Sequence, residues 1–132
     1  VTEKILPCFE IVDSRIDAWQ IKIQDTIADN ASCGVFVLGE GSCAPDKFAM
    51  DELEVVVHKN GEFLSSGMGS AVQGHPAEAV AWLANTLGEY DIPLLKGEFI
   101  LSGSLVPLEP AIVGDKFFME LKGIGTCEIN FI

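Results

Sequence analysis

The sequence predicts an α+β fold in which most strands are antiparallel and one helix near residues 76–90 packs on the sheet. Leu53, Val55 and Val57 occupy alternate positions before Asn60-Gly61, a pair suited to the two positive-φ positions of a type I′ turn. Pro76 suits the first turn of a helix. The apolar residues that follow it at helical spacing are Ala79, Val80, Leu83, Leu87 and Tyr90. These two patterns predict a hairpin and an amphipathic helix.

The residues before the hairpin predict two strands separated by mixed structure. Residues 5–12 are rich in β-branched and aromatic side chains and predict a largely buried strand. Residues 33–38 predict a compact apolar strand. Between them, residues 15–32 follow no steady period, and we expect short helical turns around one extended piece. Residues 39–50 contain glycine, serine and proline and predict a loop.

The residues after the hairpin turn are predicted to be mainly β-structure apart from the helix. The return strand, residues 63–71, contains Gly67 and Gly69, which indicates a bulge or the close approach of another backbone. Further strands are predicted at residues 98–101, 116–121 and 126–132. No repeat or linker divides the chain, and 132 residues with 48% apolar content predict a single domain with its own core.

Composition narrows the classes of partner. The chain has 20 acidic and 8 basic residues, whereas nucleic acids and anionic membrane surfaces select for clustered Lys and Arg. We therefore expect neither as a partner. No apolar run is long enough to cross a bilayer and no signal-peptide pattern is present, so we expect a cytoplasmic location. The four cysteines lack the paired spacing of a zinc ribbon or redox dithiol and are predicted to be small apolar fillers.

Glu10 is the candidate functional residue, because it stands alone in the apolar run 5–12. A carboxylate removed from water needs a cation, hydrogen-bond donors or a metal. A salt bridge to Arg15, or an edge strand with its polar side in water, would give Glu10 a structural role. As a functional role, its oxygens suit Mg²⁺, Ca²⁺ or Mn²⁺, although one carboxylate does not hold such an ion alone. Motifs of serine hydrolases, P-loop proteins, dinucleotide-binding folds and zinc peptidases are absent.

Four segments, read in order, resemble one enzyme family. They are PCFEIVDSR (7–15), DTIADNAS (25–32), GHP (74–76) running into VAWLANTLG (80–88), and GEFILSGSLVPLEP (97–110). Together they resemble the C-terminal half of the 2-hydroxypenta-2,4-dienoate hydratases, also called 2-oxopent-4-enoate or vinylpyruvate hydratases, of the fumarylacetoacetase-like superfamily. The resemblance implies a β-roll or barrel-like sheet. It also implies that residues 1–132 are the C-terminal catalytic portion of a longer chain.

The resemblance further implies a Mg²⁺- or Mn²⁺-dependent lyase of aromatic meta-cleavage catabolism, which adds water to 2-hydroxypenta-2,4-dienoate and yields 4-hydroxy-2-oxopentanoate. In this family a Glu-x-Glu pair and a third glutamate hold the metal, and Glu10 matches the third. The pair, and the lysine and aspartate that transfer protons, have no counterpart here, so no catalytic residue is assigned and the isolated residues are expected to be inactive. Ser32, Ser102 and Ser104 would line the substrate pocket. Helix capping and turn formation are their structural alternatives.

Two other functions remain open. The 4-oxalocrotonate decarboxylases of the same superfamily share the glutamate strand and the segment 28–32, whereas residues 102–110 are more similar to the hydratases. A non-catalytic scaffold, whose apolar faces serve oligomer assembly, is the other alternative. The resemblance implies a small 2-hydroxydienoate or 2-oxo acid substrate, a homo-oligomer, and association with a decarboxylase or aldolase of the same pathway. Arg15 is expected to orient Asp13 or Glu10 and not to bind substrate.

Overall fold

The computed structural model describes residues 1–132 and contains six strands and two α-helices. The strands are β1 (Cys8–Val12), β2 (Cys33–Leu38), β3 (Glu54–Lys59), β4 (Glu62–Met68), β5 (Lys116–Leu121) and β6 (Gly125–Asn130). The helices are α1 (Ile23–Ala28) and α2 (Pro76–Gly88), and 3₁₀ turns span Asp17–Trp19, Asn30–Ser32 and Gly69–Ala71. The predicted α+β class is confirmed. Neither α-helix is long and apolar enough to cross a membrane.

The strands form two antiparallel sheets that meet at one side. β1 and β2 pair alone, and the larger sheet has the order β4-β3-β5-β6. A bridge between Glu40, just after β2, and Thr126 of β6 joins the two sheets. The arrangement is the roll-like antiparallel structure that was predicted, and it places the β1–β2 pair at the edge of the larger sheet.

The core lies between the two sheets and follows from the alternation of apolar residues in the strands. In β5 every second residue is buried, namely Phe117, Met119 and Leu121. The other buried members of this core are Leu53, Val55, Val57 and Cys127. From the small sheet, the Phe9 ring meets the Phe117 ring edge-on at 6.4 Å between centroids. This contact helps to fix β1 against the larger sheet.

The hairpin forms where the sequence predicts it. Asn60 and Gly61 both have positive φ, +54° and +86°, as a type I′ turn requires. A Cβ at Gly67 would overlap the carbonyl oxygen of Leu105, so the predicted close approach of another backbone is confirmed. The register of β3 against β4 shifts between Val57 and His58, away from the two glycines.

Helix α2 is confirmed, but its packing on the core is incomplete within these residues. His75 caps it by accepting a hydrogen bond from the Ala77 amide at 3.1 Å, and Pro76 is its first residue. No residue of α2 is buried and none belongs to the core, and Trp82 is 61% exposed. The apolar stripe of the helix is thus only half covered.

Two predictions about strands were wrong in detail. Residues 98–101 form no strand, because the neighbour of this segment is a side chain of β2: the rings of Phe99 and Phe36 lie 5.8 Å apart. The first strand was predicted to start at residue 5 and to be largely buried. It starts at Cys8 and is half-buried, since β1 is an edge strand paired only with β2. The predicted short helical turns between residues 15 and 32 are confirmed.

The chain exposes more surface than its size predicts. Its accessible surface is 8989 Å², whereas a compact protein of this mass exposes about 6,800 Å². The excess, about 2,200 Å², has the size of a large protein–protein interface. The exposed apolar side chains include Trp82, Tyr90, Ile92, Leu95, Leu108, Ile112 and Val113. Exposed apolar surface of this extent is typical of a contact with further polypeptide.

Candidate functional site

Glu10 lies in the middle of β1, opposite Phe36 of β2, and its side chain is exposed. It forms no salt bridge. A salt bridge to Arg15, one of the two structural alternatives for Glu10, does not form, because Arg15 binds Asp29, with Nε and Oδ1 2.6 Å apart. The edge-strand interpretation of Glu10 remains compatible with this position. Glu10 is therefore a carboxylate that is available to a ligand.

The neighbour of the Glu10 carboxylate is the thiol of Cys33, the first residue of β2. Desolvation, and then the hydrogen bond and charge of Glu10, raise the pKa of the Cys33 thiol. Cys33 directly follows Ser32, and the Asp13 amide donates to the Ser32 carbonyl oxygen at 2.9 Å. Ser32 therefore lies at the end of the β1–β2 sheet where β2 begins, whereas Glu10 lies in the middle of β1, and the Cys33 thiol lies between the two residues.

Ser32 is buried, and its hydroxyl has no hydrogen-bond partner. The Asp29 carboxylate is close enough for this hydroxyl to help lower its pKa, but not in hydrogen-bonding geometry. Leaving a buried hydroxyl unsatisfied costs about 1–3 kcal/mol, so such a group usually has a partner. Ser32 caps no α-helix, but it belongs to the 3₁₀ turn Asn30–Ser32, so turn formation stays open as its structural alternative.

The turn that contains Ser32 has an unusual backbone. Asn30, Ala31 and Ser32 all have positive φ, between +49° and +57°. For residues other than glycine this left-handed conformation costs of order 1 kcal/mol or more each, and it clusters at functional sites. Residue type predicts this conformation only weakly, since Asn30 tolerates positive φ but Ala31 and Ser32 do not favour it. We call these three residues the left-handed turn.

Asp29 is a functional candidate that the sequence did not single out, and it is the partner of Arg15, which was expected to orient Asp13 or Glu10 and contacts only the Asp13 carbonyl oxygen of these two. The Arg15 guanidinium contacts the Asp29 carboxylate, and it also donates to backbone carbonyl oxygens around the left-handed turn. Desolvation opposes ionisation of Asp29, but the Arg15 hydrogen bonds and charge outweigh it and hold the pKa of Asp29 below its usual value. Asp29 is thus an ionised carboxylate that is already paired.

Residues 102–104 are the third segment of the predicted site. They share no hydrogen bond with Glu10 or Ser32. The Ser104 hydroxyl donates to the Val106 carbonyl oxygen at 2.6 Å, which supports its structural alternative as a turn former. Ser102 is half-buried and makes no side-chain hydrogen bond. The segment follows Phe99, whose ring lies against Phe36, the residue opposite Glu10. Residues 102–104 therefore come from a chain segment that passes the Glu10 strand pair.

The acidic and sulfur-containing side chains do not form a complete metal site. No group of three or more His, Cys, Asp or Glu residues lies close enough to hold a metal ion. Glu10 is an available hard oxygen ligand, whereas Asp29 is engaged by Arg15. Hard divalent cations bind about six oxygens. The residues present thus fit one ligand position of such a site.

Comparison with known proteins gives consistent results. The family model described as Fumarylacetoacetate (FAA) hydrolase C-terminal matches residues 6–132. A 2-hydroxyhexa-2,4-dienoate hydratase of Comamonas testosteroni is 62% identical over 130 residues, covering 98% of this chain and 49% of that protein. A 2-hydroxypent-2,4-dienoate hydratase of Pseudomonas putida is 56% identical over 91 residues, covering 69% of this chain and 41% of that protein. The chain spans about half the length of the curated relatives it matches.

Solved structures confirm the fold. The 4-oxalocrotonate decarboxylase from Pseudomonas putida G7, complexed with magnesium and adipate, superposes with a TM-score of 0.91 at 35% identity. The match covers 98% of this chain and 49% of that one. The same enzyme complexed with calcium and acetate gives a TM-score of 0.89.

Proposed function

The chain belongs to the fumarylacetoacetate hydrolase C-terminal family, and from this membership we propose that it is the C-terminal catalytic portion of a metal-dependent 2-hydroxydienoate hydratase. The reaction adds one water to 2-hydroxypenta-2,4-dienoate and gives 4-hydroxy-2-oxopentanoate. Identity of 62% to a hydratase, against 35% to a decarboxylase, supports hydration over decarboxylation. The exact tail of the natural dienoate is left open by this comparison.

One observation supports the location of the site. The Glu10 carboxylate has no cationic partner, and the buried hydroxyl of Ser32, the residue before Cys33, has no hydrogen-bond partner. Buried polar groups in folded proteins are normally satisfied, so an unsatisfied one points to a ligand. A polar ligand carrying hydrogen-bond acceptors and a divalent cation would satisfy both groups.

The roles of the residues follow from their chemistry. A Mg²⁺ or Mn²⁺ ion, held by Glu10 and by carboxylates from outside these 132 residues, would supply Lewis-acid polarisation of the substrate's 2-oxygen. Ser32 donates its hydroxyl hydrogen to the substrate carboxylate, and its burial strengthens that bond because the local dielectric is low. Family resemblance assigns Ser102 to the wall of the pocket, with Ser104 shaping the turn that carries it. We assign no proton-transferring residue within the chain.

The surface of the chain supports a larger assembly. The excess exposed area and the half-covered stripe of α2 suit contacts with the remainder of a longer chain and with further copies in a homo-oligomer. Cys8, Cys33, Cys43 and Cys127 are free thiols, as expected for a reducing cytoplasm. Association with a decarboxylase or aldolase of the same pathway is part of this proposal.

The test is a substrate comparison with the complete gene product. The protein is incubated with Mg²⁺ or Mn²⁺ and with either 2-hydroxypenta-2,4-dienoate or 4-oxalocrotonate, and products are identified by mass. Addition of one water to the dienoate supports the proposal. Release of carbon dioxide from 4-oxalocrotonate without hydration of the dienoate would identify a decarboxylase. Turnover of neither acid would support a non-catalytic scaffold.

A further inference from the structure

We propose that Arg15 is a positioning residue of this site: together with Asp29 it holds the left-handed turn and thereby directs the Ser32 hydroxyl toward the substrate. We call the pair the Arg15–Asp29 clamp. The inference rests on the proposed function in one respect, namely that Ser32 binds the substrate. The restraint of the turn by Arg15 does not depend on substrate binding and is tested by amide hydrogen exchange.

The guanidinium bonds the chain directly before and directly after the left-handed turn. On the near side, Nε lies 2.6 Å from Asp29 Oδ1, and Nη2 donates to the Asp29 carbonyl oxygen at 2.5 Å. On the far side, Nη1 donates to the Cys33 carbonyl oxygen at 2.8 Å. Nη1 also donates to the Asp13 carbonyl oxygen at 3.0 Å, next to the end of β1. One planar cation thus joins β1, the end of α1 and the start of β2.

The turn needs such a restraint for two reasons. Three consecutive non-glycine residues in the left-handed region are unfavourable by themselves and persist only when their surroundings determine them. In addition, the buried Ser32 hydroxyl gains no hydrogen bond that would hold it in place. Because the clamp fixes both ends of the turn, it holds the Ser32 hydroxyl in one position before any ligand binds.

Lysine cannot reproduce the clamp. The guanidinium presents five donors in a rigid plane, whereas an ammonium group is a compact charge that cannot reach acceptors on both sides of the turn. Arg15→Lys therefore keeps the charge beside Asp29 and loses the far-side bonds. The Arg15→Lys variant therefore separates the positioning role of the guanidinium from simple charge pairing with Asp29.

A purely structural salt bridge is the alternative, and coupling to Ser32 distinguishes the two. A residue that acts through Ser32 has little further effect once the Ser32 hydroxyl is removed. A residue that only stabilises the fold has the same effect with and without that hydroxyl.

The experiment uses the complete gene product and the variants Arg15→Met and Arg15→Lys, each with and without Ser32→Ala. The control is Lys122→Met, which removes another exposed ion pair, that of Lys122 with Glu54 at 2.8 Å, between β3 and the loop after β5. KM, kcat and Mn²⁺ affinity are measured, and amide hydrogen exchange is followed by mass spectrometry.

We expect both Arg15 variants to raise KM for the dienoate, by about tenfold for Arg15→Met, and to leave Mn²⁺ affinity unchanged. In the Ser32→Ala background the same substitution should change KM by less than about twofold. Amides of residues 30–33 should exchange at least about tenfold faster in the Arg15 variants and at the wild-type rate in Lys122→Met.

Equal KM effects in both backgrounds, or unchanged exchange of residues 30–33, would overturn the proposal. If Arg15→Met does not fold, Arg15→Lys provides the same comparisons. If the wild-type protein hydrates no dienoate, the proposed function fails, whereas the exchange rates still support or overturn the hold of the clamp on the turn.

Discussion

Two carboxylates of this chain, Asp115 and Glu10, have opposite surroundings. Asp115, before β5, is buried, accepts hydrogen bonds from Asn60 Nδ2 at 2.9 Å and the Ile112 amide at 3.0 Å, and lies 3.1 Å from Lys59 Nζ. Glu10 is exposed and has no cationic partner. The Asp115 network satisfies itself within the chain and ties the hairpin turn to the start of β5. The Glu10 carboxylate forms no ion pair within the chain.

The comparison extends to the neutral polar groups near each carboxylate. Asn60, beside Asp115, donates through Nδ2 and accepts from the Lys116 amide through Oδ1 at 2.9 Å. Ser32, near Glu10, is buried with no partner for its hydroxyl and lies in a left-handed turn. Complete satisfaction is typical of a structural network, whereas unsatisfied groups and strained backbone are typical of a binding site. The proposed site at Glu10 and Ser32 therefore differs from the structural network at Asp115 in its unsatisfied groups and in its backbone.

Removing the charge of Glu10 should have the largest effect on activity. Glu10→Gln keeps the size of the side chain and removes the charge, so it should lower metal-dependent hydration by at least about a hundredfold. Because Glu10 is exposed and forms no salt bridge, the thermal midpoint should stay near that of the wild type. Steady-state kinetics, Mn²⁺ titration and thermal unfolding measure these quantities. Glu62→Gln, at an exposed position of the hairpin, is the matched control, and wild-type activity in Glu10→Gln would remove Glu10 from the site.

Removing the Asp115 carboxylate should instead lower the stability of the fold. Asp115→Ala leaves Asn60 Nδ2 and the Ile112 amide without their acceptor and removes one of the ion pairs of Lys59, so it should lower the thermal midpoint by several degrees. Metal affinity should not change, because this network lies in the larger sheet. Calorimetry and Mn²⁺ titration test both statements. A loss of metal binding without a loss of stability would reverse the roles assigned to the two carboxylates.

The sequence predicted the structural elements around Asp115 better than the contacts around Glu10. The turn Asn60-Gly61 and the alternation in β5 are local patterns, and local geometry is enough to determine them. The Arg15–Asp29 pair joins residues 14 positions apart, and no spacing rule identifies it.

The errors have the same physical origin. Residues 98–101 are apolar enough for a strand, but a strand needs a backbone partner, and this segment meets β2 through the Phe99 side chain. Ser32 was identified as a site residue only through family resemblance, because neither its burial nor its missing hydrogen bond is visible in composition or period. Tertiary contacts, rather than propensity, determine both features.

Removing the Ser32 hydroxyl should affect substrate binding and not stability. Ser32→Ala removes a hydroxyl that bonds nothing in the fold, so stability should stay the same or rise by up to about 1 kcal/mol. Substrate binding should weaken, with KM for the dienoate rising about tenfold. Kinetics and urea unfolding on the same preparations provide the two values. Ser70→Ala, at an exposed position after β4, controls for loss of a hydroxyl as such. A clear loss of stability in Ser32→Ala would instead give Ser32 a structural role.

The smallest expected effect is the pH dependence of stability. The Asn60 hydrogen bond first, then the Ile112 amide and Lys59, hold the pKa of Asp115 below its ordinary value of 3.8. A carboxyl group whose pKa is lower in the folded than in the unfolded state stabilises the fold fully above the unfolded value, and this contribution is lost as pH falls through the folded value. Unfolding at a series of pH values from 6 down to about 2.5 should therefore show declining stability below about pH 4.

Asp115→Asn removes this titration and should make the decline shallower, although its stability at neutral pH is lower. Asp29, whose pKa is also lowered, contributes to the decline in the same direction, so Asp29→Asn should flatten the remaining slope. Glu10→Gln serves as the contrasting variant, because Glu10 forms no salt bridge in the fold. An unchanged slope in Asp115→Asn would show that the hydrogen bonds around Asp115 do not depend on its charge, and the distinction between the two carboxylates would then rest on ligand binding alone.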